Sequence, residues 1–207
     1  MQAYHFLKED MRAGSGKEKP WKVGEERTVP KPDRVSLCAY GYHSASSWRD
    51  ALNYAPGPVA CIVEVSDPIA RDSTKQVSAT RTLLAAKDVS KELRCFACDC
   101  AERALKRERK AGREPDERSW KAIIVARRYA NGEATLAELN AAAYAAANAN
   151  ANAVAYAAAK VANANAAYAA DANAYAAANA YANAAETKWQ RKRLARYLDA
   201  AFGDKGE

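Results

Sequence analysis

The two histidines of the chain, His5 and His43, both lie in its first quarter. Tyr42 precedes the second histidine, and Tyr54 and Arg81 follow it along the chain. Imidazole, phenol and guanidinium groups bind small molecules by hydrogen bonding and by stacking on flat rings. We therefore predict a candidate pocket formed by these five residues. The alternative is that both histidines are hydrogen-bonded structural residues that join a loop to a sheet.

Three of the five cysteines lie close together in "CFACDC" at 95–100. Zinc needs about four ligands, and a single Cys-x-x-Cys supplies two of them. On a helix, Cys95 and Cys98 share a face, whereas Cys100 projects about 200° away from Cys98. We predict buried free thiols that pack as small apolar residues, and no metal site. Because phosphate-loop, nucleophile-elbow and metalloprotease signatures are missing, we expect no cofactor and name no catalytic residue.

A basic cluster lies near the C-terminus, close to Trp189 and Tyr197. Aromatic rings beside cations can stack on bases while the cations contact phosphates. The cluster is therefore a candidate contact for nucleic acid or for an acidic partner, and the alternative is a solvated helix face. It contains five basic residues and no acid: Lys188, Arg191, Lys192, Arg193 and Arg196.

The elements that must position the candidate pocket belong to a mixed segment at the N-terminus. Apolar patterning predicts strands over residues 3–7 and 59–65, the second with one buried face. Between them, Ser46 or Ser47 can cap a short helix that Pro-Gly-Pro ends. Residues 76–86 read as a further strand or the start of a helix. We predict a small mixed α/β domain over residues 1–90.

A helical period begins after this segment. Ser90 and Gly112 mark the start and stop of a first helix, and an Asn-Gly dipeptide ends a second. A third helix begins around Thr135, where Glu138 completes a capping box. These signals predict a helical module over residues 91–140.

Residues 141–185 consist almost entirely of alanine, asparagine and tyrosine. Alanine is the best helix former, so we predict a long helix, straight or folded into a hairpin. Large side chains recur every seven residues opposite small alanines, which favours close packing of two helices. The residues of this seam are Val154, Val161, Tyr168, Tyr175 and Trp189. With the basic C-terminal helix, residues 141–207 form a third region. The predicted fold class is α+β, a small mixed N-terminal domain followed by an all-α region with long Ala-rich helices.

The string "LCAYGYHSASSWRDALNYAPGPVACIVEVS" resembles an uncharacterised domain family of phage and actinobacterial proteins. The resemblance covers about the first half of the chain and implies a phage-type accessory protein. About residues 95–135, with "CDCAERAL" and "PDERSWKAIIVARRYANGE", are similar to a helical module of proposed bacterial immunity proteins, which implies binding. The first resemblance is carried by Tyr4, His5, Cys38, Gly41, His43, Ala51, Tyr54 and residues 55–57.

The order of His5, Tyr42 and Tyr54 also resembles that of ADP-ribosyltransferases. In that family an early strand carries a histidine, and an aromatic residue follows a glycine above a helix. The resemblance implies that the tyrosines sandwich nicotinamide and that His5 binds ribose. The chain departs from the family because Glu64 follows the helix directly, where the catalytic glutamate is not expected.

Composition sets the broad function class. The chain carries 32 basic and 25 acidic residues, a net charge of +7. It shows no signal peptide and no apolar run long enough to cross a membrane, and its odd cysteine count fits a reducing compartment. We expect a cytoplasmic protein, in the host cell if a phage encodes it.

The leading hypothesis is a phage-type accessory protein that binds a host or phage macromolecule, with counteracting a bacterial defence system as its most concrete version. The expected partner is a protein, and self-association or nucleic acid binding are weaker alternatives. No membrane contact is expected. The competing hypotheses are an ADP-ribosyltransferase-like enzyme and a virion or assembly component that oligomerises through the Ala-rich helices.

Overall fold

The computed structural model describes residues 1–14, 18–66, 70–147 and 184–203. By its internal contacts the chain divides into two compact units. The first is Met1–Val89 together with Leu194–Glu207, and the second is Ser90–Arg193. The first unit contains two antiparallel sheets and the second is helical, so the predicted α+β class is confirmed.

The larger sheet has four antiparallel strands in the order β1-β4-β7-β2. These strands are β1 (Gln2–Leu7), β2 (Glu26–Thr28), β4 (Val59–Val65) and β7 (Thr80–Asp88). The strands predicted at 3–7 and 59–65 are therefore confirmed. The single buried face predicted for β4 is wrong for its first half, because Ala60 pairs with Phe6 of β1 and Phe6 is covered in turn by Trp48.

The smaller sheet has three strands in the order β3-β6-β5. These are β3 (Tyr42–Ser44), β5 (Ala70–Arg71) and β6 (Gln76–Ser78). The segment 76–86 thus contains two strands, β6 and the start of β7. The two sheets meet where Tyr4 and Ala45 exchange two backbone hydrogen bonds, each 2.9 Å long. This junction places the end of β3 beside the outer edge of β1.

A short helix, α1 (Trp48–Leu52), follows the junction. Of the two predicted caps, Ser47 is the one used, because its side chain accepts the backbone N–H of Asp50. The ring of Trp48 packs against Tyr4 and Phe6 of β1, with ring centroids 4.2 and 6.0 Å apart. Helix α1 is therefore fixed to the edge of the large sheet.

The last helix, α5 (Ala184–Gly203), completes the first unit with its C-terminal part. Leu194 and Leu198 are fully buried. Phe202 stacks on Trp48 with centroids 5.5 Å apart, and Asp199 accepts a 3.0 Å hydrogen bond from the Trp48 indole. Local sequence patterns could not predict these contacts of Trp48 with α5, because they join residues far apart in the chain.

The helical unit contains α2 (Ser90–Lys110), α3 (Glu117–Ala130), α4 (Leu136–Ala147) and the first part of α5. The predicted boundary signals are confirmed. Gly112, just after α2, has a φ of +79°, and Asp116 caps α3. At the start of α4, the Glu138 carboxylate accepts the Thr135 N–H at 2.7 Å, and the Thr135 hydroxyl accepts the Glu138 N–H at 3.2 Å.

Two buried acids hold the helical unit together. Asp99 of α2 is paired with Arg127 of α3 at 2.8 Å and with Arg193 of α5 at 2.5 Å. Glu186 of α5 is paired with Arg103 and Arg107 of α2. Removing one partner of such a buried pair is strongly destabilising, because it leaves a charge without compensation.

The packing seam predicted for the Ala-rich segment falls mostly outside the described residues. This holds for Val154, Val161, Tyr168 and Tyr175, so the assembly hypothesis stays a prediction. Trp189 is described, and the guanidinium of Arg103 lies 4.6 Å from its ring centroid. Among the described helices, none is both long and apolar enough to span a membrane.

Candidate functional site

A cavity of about 320 Å³ lies at the junction of the two sheets in the first unit. Tyr4 and His5 of β1 form one wall, and Ser44 and Ala45 at the end of β3 form the next. Three of the five residues of the predicted pocket line it: His5, His43 and Tyr54. Ala51, Cys38 and Lys75 complete the lining.

His43 holds the loop that forms one side of the cavity. Its Nε2 atom accepts the backbone N–H of Cys38 at 3.0 Å, and its ring also hydrogen-bonds the backbone of Gly41. Burial lowers the pKa of His43, and the nearby Lys75 charge lowers it further. Cys38 has a φ of +66°, an uncommon conformation for a residue with a side chain, and this hydrogen bond stabilises it. Because both ring nitrogens are engaged, His43 is a structural residue of the cavity wall.

His5 differs from His43 because one of its ring nitrogens has no hydrogen-bond partner among the described residues. Its Nε2 atom is buried and makes no hydrogen bond there. Burial holds the pKa of His5 well below its usual value, and the charges of Arg81 and His43 lower it further. A hydrogen bond to the His43 backbone opposes this shift. Because this hydrogen bond raises the pKa, the ring is its donor and the His43 carbonyl its acceptor. The lowered pKa keeps the ring neutral, so its single proton is on the donating nitrogen and Nε2 is left as an acceptor.

The third wall is a turn fixed by Asp72. Its carboxylate oxygen Oδ1 accepts the backbone N–H groups of Thr74 and Lys75 at 2.7 and 2.8 Å. Thr74 then shares a 2.8 Å hydrogen bond with the hydroxyl of Tyr54. The Lys75 ammonium lies 4.8 Å from the Tyr54 ring centroid. A hydrogen bond with the Cys38 side chain raises the pKa of Lys75, so the Lys75 side chain is positively charged at neutral pH.

Tyr42 and Arg81, the other two predicted pocket residues, belong to a neighbouring cluster around Trp21. The Tyr42 and Trp21 ring centroids are 5.4 Å apart, and the Arg81 guanidinium lies 4.3 Å from the Trp21 ring. Arg81 is buried, which lowers its pKa to about 10. Its Nη1 atom donates to the His43 carbonyl at 3.3 Å. The cluster therefore adjoins the cavity wall without lining it.

The sequence did not identify Tyr4, Cys38 or Lys75 as site residues. Tyr4 and His5 are adjacent on β1, and both line the cavity where β1 meets Ala45 at the end of β3. Lys75 had one local signal, since Asp72 followed by polar residues favours a turn. Its contact with Tyr54 could not be predicted from local sequence patterns, because the two residues are far apart in the chain.

The geometry divides the residues that the transferase resemblance relies on. His5 and Tyr54 line one cavity, whereas Tyr42 packs against Trp21. The carboxylate of Glu64 is exposed on β4 and lies 3.8 Å from the N-terminal amino group. Within the described residues no carboxylate lines the cavity. The groups that do line it are suited to binding by hydrogen bonds, charge and ring contact.

The cysteines of α2 pack as apolar side chains. Cys98 is fully buried, which raises the pKa of its thiol to about 12, and its sulfur lies 3.9 Å from the Ile123 carbonyl. Cys100 is also buried and Cys95 is half-buried. In the described part of the chain, no three His, Cys, Asp or Glu side chains gather as a metal site would require.

The predicted basic cluster is divided between two sides of α5. Arg193 lies on the packed side, in the ion pair with Asp99. Lys188, Lys192 and Arg196 are exposed and spaced four residues apart, so they form one line along the helix, which we call the basic stripe. Arg191 is exposed beside it.

The N-terminal part of the chain is similar to a known protein family. Residues 1–94 match a protein family described as a domain of unknown function (DUF7666). The matched segment contains every residue that lines the cavity. No curated protein and no solved structure matches the chain.

Proposed function

We propose that this chain is a phage-type accessory protein that acts by binding a host or phage macromolecule. The observation that carries the proposal is the basic stripe. Lys188, Lys192 and Arg196 are exposed, and no acid lies between Glu186 and Asp199 along the helix. Like charges four residues apart disfavour a helix, so packing of the opposite side must hold them in place. A fixed line of cations attracts and orients an acidic partner.

The stripe stays in place because the other side of α5 is anchored. Glu186, Gln190, Leu194 and Leu198 are buried at intervals of four residues. These positions lie roughly opposite the stripe around the helix. A partner would therefore meet cations on a preformed element, which reduces the entropy cost of binding.

We propose a protein partner rather than nucleic acid. The stripe is about 12 Å long, whereas nucleic-acid interfaces usually contact six to ten phosphates. Several arginines of the helical unit are engaged in ion pairs with acids and do not extend the stripe. They are Arg103, Arg107, Arg109, Arg113, Arg118, Arg127 and Arg193.

Two further considerations support the setting. The resemblances of the N-terminal domain to phage proteins and of about residues 95–135 to immunity-protein modules favour counteracting a bacterial defence system. We place the protein in the cytoplasm, of the host cell if a phage encodes it. The described cysteines, all free, fit a reducing compartment.

The test is affinity purification of the tagged full chain from bacterial lysate, with and without nuclease, followed by mass spectrometry. The triple variant Lys188→Glu, Lys192→Glu, Arg196→Glu removes the stripe. A matched control, Lys91→Glu, Lys110→Glu, Lys121→Glu, makes the same change in net charge at other exposed positions. We expect a stoichiometric protein that survives nuclease, is lost with the stripe variant and stays with the control. Loss of the partner on nuclease treatment would instead identify nucleic acid, and equal recovery by both variants would contradict the proposal.

The second candidate is ADP-ribosyl transfer, favoured by the position of His5 and Tyr54 in one cavity. It requires NAD-dependent labelling of a partner protein that is abolished by His5→Ala. The lining without a carboxylate weighs against this candidate, since that family activates its attacking group with glutamate.

A further inference from the structure

We propose that the cavity of the first unit binds a small aromatic acid that also carries a hydroxyl or N–H donor. This site is separate from the basic stripe, so the inference goes beyond the proposed function and does not rest on it. Three properties of the cavity lead to this ligand class: its charge, one unused acceptor and its apolar walls.

The charge of the cavity favours an anion. Lys75 lines it and makes no ion pair with a carboxylate among the described residues. Asp72, the acid of the same turn, is held by the backbone N–H groups of Thr74 and Lys75 and does not line the cavity. Arg81 does not line the cavity; it donates to the His43 carbonyl from the neighbouring cluster, where the charge of Glu18 acts on it. Lys75 is therefore the cation of a lining without acids, and such a lining attracts a carboxylate.

The unused acceptor is Nε2 of His5. A buried polar atom that lacks a partner is rare in native proteins and is usually satisfied by water or by a ligand. Since the other ring nitrogen donates to the His43 backbone, Nε2 can only accept. The ligand must therefore bring an O–H or N–H group to this wall. A ligand that lacks the donor would leave the nitrogen unsatisfied.

The remaining lining favours a flat apolar body. Tyr4 and Tyr54 present aromatic rings, and Ala45 and Ala51 leave space between them. The Tyr4 ring is fixed by Trp48, 4.2 Å away between centroids. A volume of about 320 Å³ is at the lower end for small-molecule sites, which run from about 300 to 1,000 Å³. A single-ring acid therefore fits better than a dinucleotide.

The experiment titrates the full chain with three probes and follows binding by NMR chemical shifts or calorimetry. The probes are para-hydroxybenzoate, benzoate and para-hydroxybenzamide. Benzoate lacks the donor and the amide lacks the charge, so each removes one proposed interaction. We expect para-hydroxybenzoate to bind about fivefold more tightly than benzoate and at least about tenfold more tightly than the amide.

Variants assign each interaction to a residue. Lys75→Met should abolish the preference for the acid over the amide. His5→Asn should abolish the preference for the hydroxyl, because asparagine can keep the hydrogen bond to the His43 backbone while losing the Nε2 acceptor. Lys31→Met is the matched control, since Lys31 is an exposed lysine of the same unit outside the cavity. It should bind all three probes like the wild type.

Two results would overturn the inference. One is the absence of saturable binding of any probe at millimolar concentration. The other is an unchanged preference for the acid in Lys75→Met. If His5→Asn fails to fold, Lys75→Met alone decides, because Lys75 lies on a surface turn.

Discussion

His5 couples the stability of the first unit to pH. Burial, with the charges of Arg81 and His43, holds the pKa of His5 well below its usual 6.5, and burial also lowers that of His43. Both rings are therefore neutral in the folded chain, whereas in the unfolded chain they titrate near pH 6.5. Below that pH the unfolded state binds more protons than the folded state, so stability falls as pH falls. Above it neither state binds the proton, and this contribution is constant.

We predict that the free energy of unfolding is lower at pH 5.5 than at pH 7.5. Each histidine contributes up to about 1.4 kcal/mol per pH unit below 6.5. Urea denaturation at the two pH values measures the difference. The His5→Asn variant is measured at the same two pH values. Its free energy of unfolding should change less between them than that of the wild type, because asparagine does not titrate. Equal pH dependence in both proteins would show that the neutral ring of His5 is not the cause.

The cysteines should differ sharply in reactivity. Cys38 is exposed, whereas burial raises the pKa of Cys61 and Cys98 to about 12. Only thiolates react with iodoacetamide, and a buried thiol is also out of reach. We predict alkylation of Cys38 at pH 8, with Cys61 and Cys98 modified only in urea. Peptide mass spectrometry identifies the sites, and modification of Cys61 in the native protein would contradict the packing of β4.

Part of the candidate site could be predicted from the types of its residues. His5, His43 and Tyr54 were predicted together and line one cavity. Tyr42 was included because it is next to His43, yet neighbours on a strand point to opposite faces, and Tyr42 faces Trp21. The approach of Lys75 depends on tertiary structure, which a single sequence does not encode locally.

At the scale of elements, the helix boundaries were predictable because their signals are local. Ser47, Asp116 and the Thr135–Glu138 pair each satisfy N–H groups within three residues. The packing of the end of α5 on the β-sheet unit was not predictable. It joins residues more than a hundred positions apart, such as Trp48 and Asp199.

We predict that Leu198→Ala destabilises the protein by about 2–5 kcal/mol, because Leu198 is fully buried and its removal leaves a cavity. Leu136→Ala makes the same substitution on α4 at a residue that is 57% exposed, and should change stability by no more than about 0.5 kcal/mol. Thermal or urea unfolding of the full chain measures both. Similar stability of the two variants would mean that the end of α5 is not anchored in the first unit.

At the scale of the whole molecule, charge should govern how fast a partner is found. The chain carries a net charge of +7, and the basic stripe presents part of that charge as one line of cations. Charges on complementary surfaces speed association more than they slow dissociation, and salt screens them over about 8–10 Å. The stripe should therefore act mainly through the association rate.

For a protein recovered in the affinity purification, we predict that the association rate falls steeply as salt rises, while the dissociation rate changes little. Surface plasmon resonance at low and high salt separates the two rates. The charge-reversing triple variant at Lys188, Lys192 and Arg196 should lose most of the association rate at low salt. The charge-keeping variant Lys188→Arg, Lys192→Arg, Arg196→Lys should retain it, because steering depends on charge rather than on hydrogen-bond geometry. If the charge-keeping variant also failed, the stripe would contact its partner through specific hydrogen bonds, and electrostatic steering would not explain recognition.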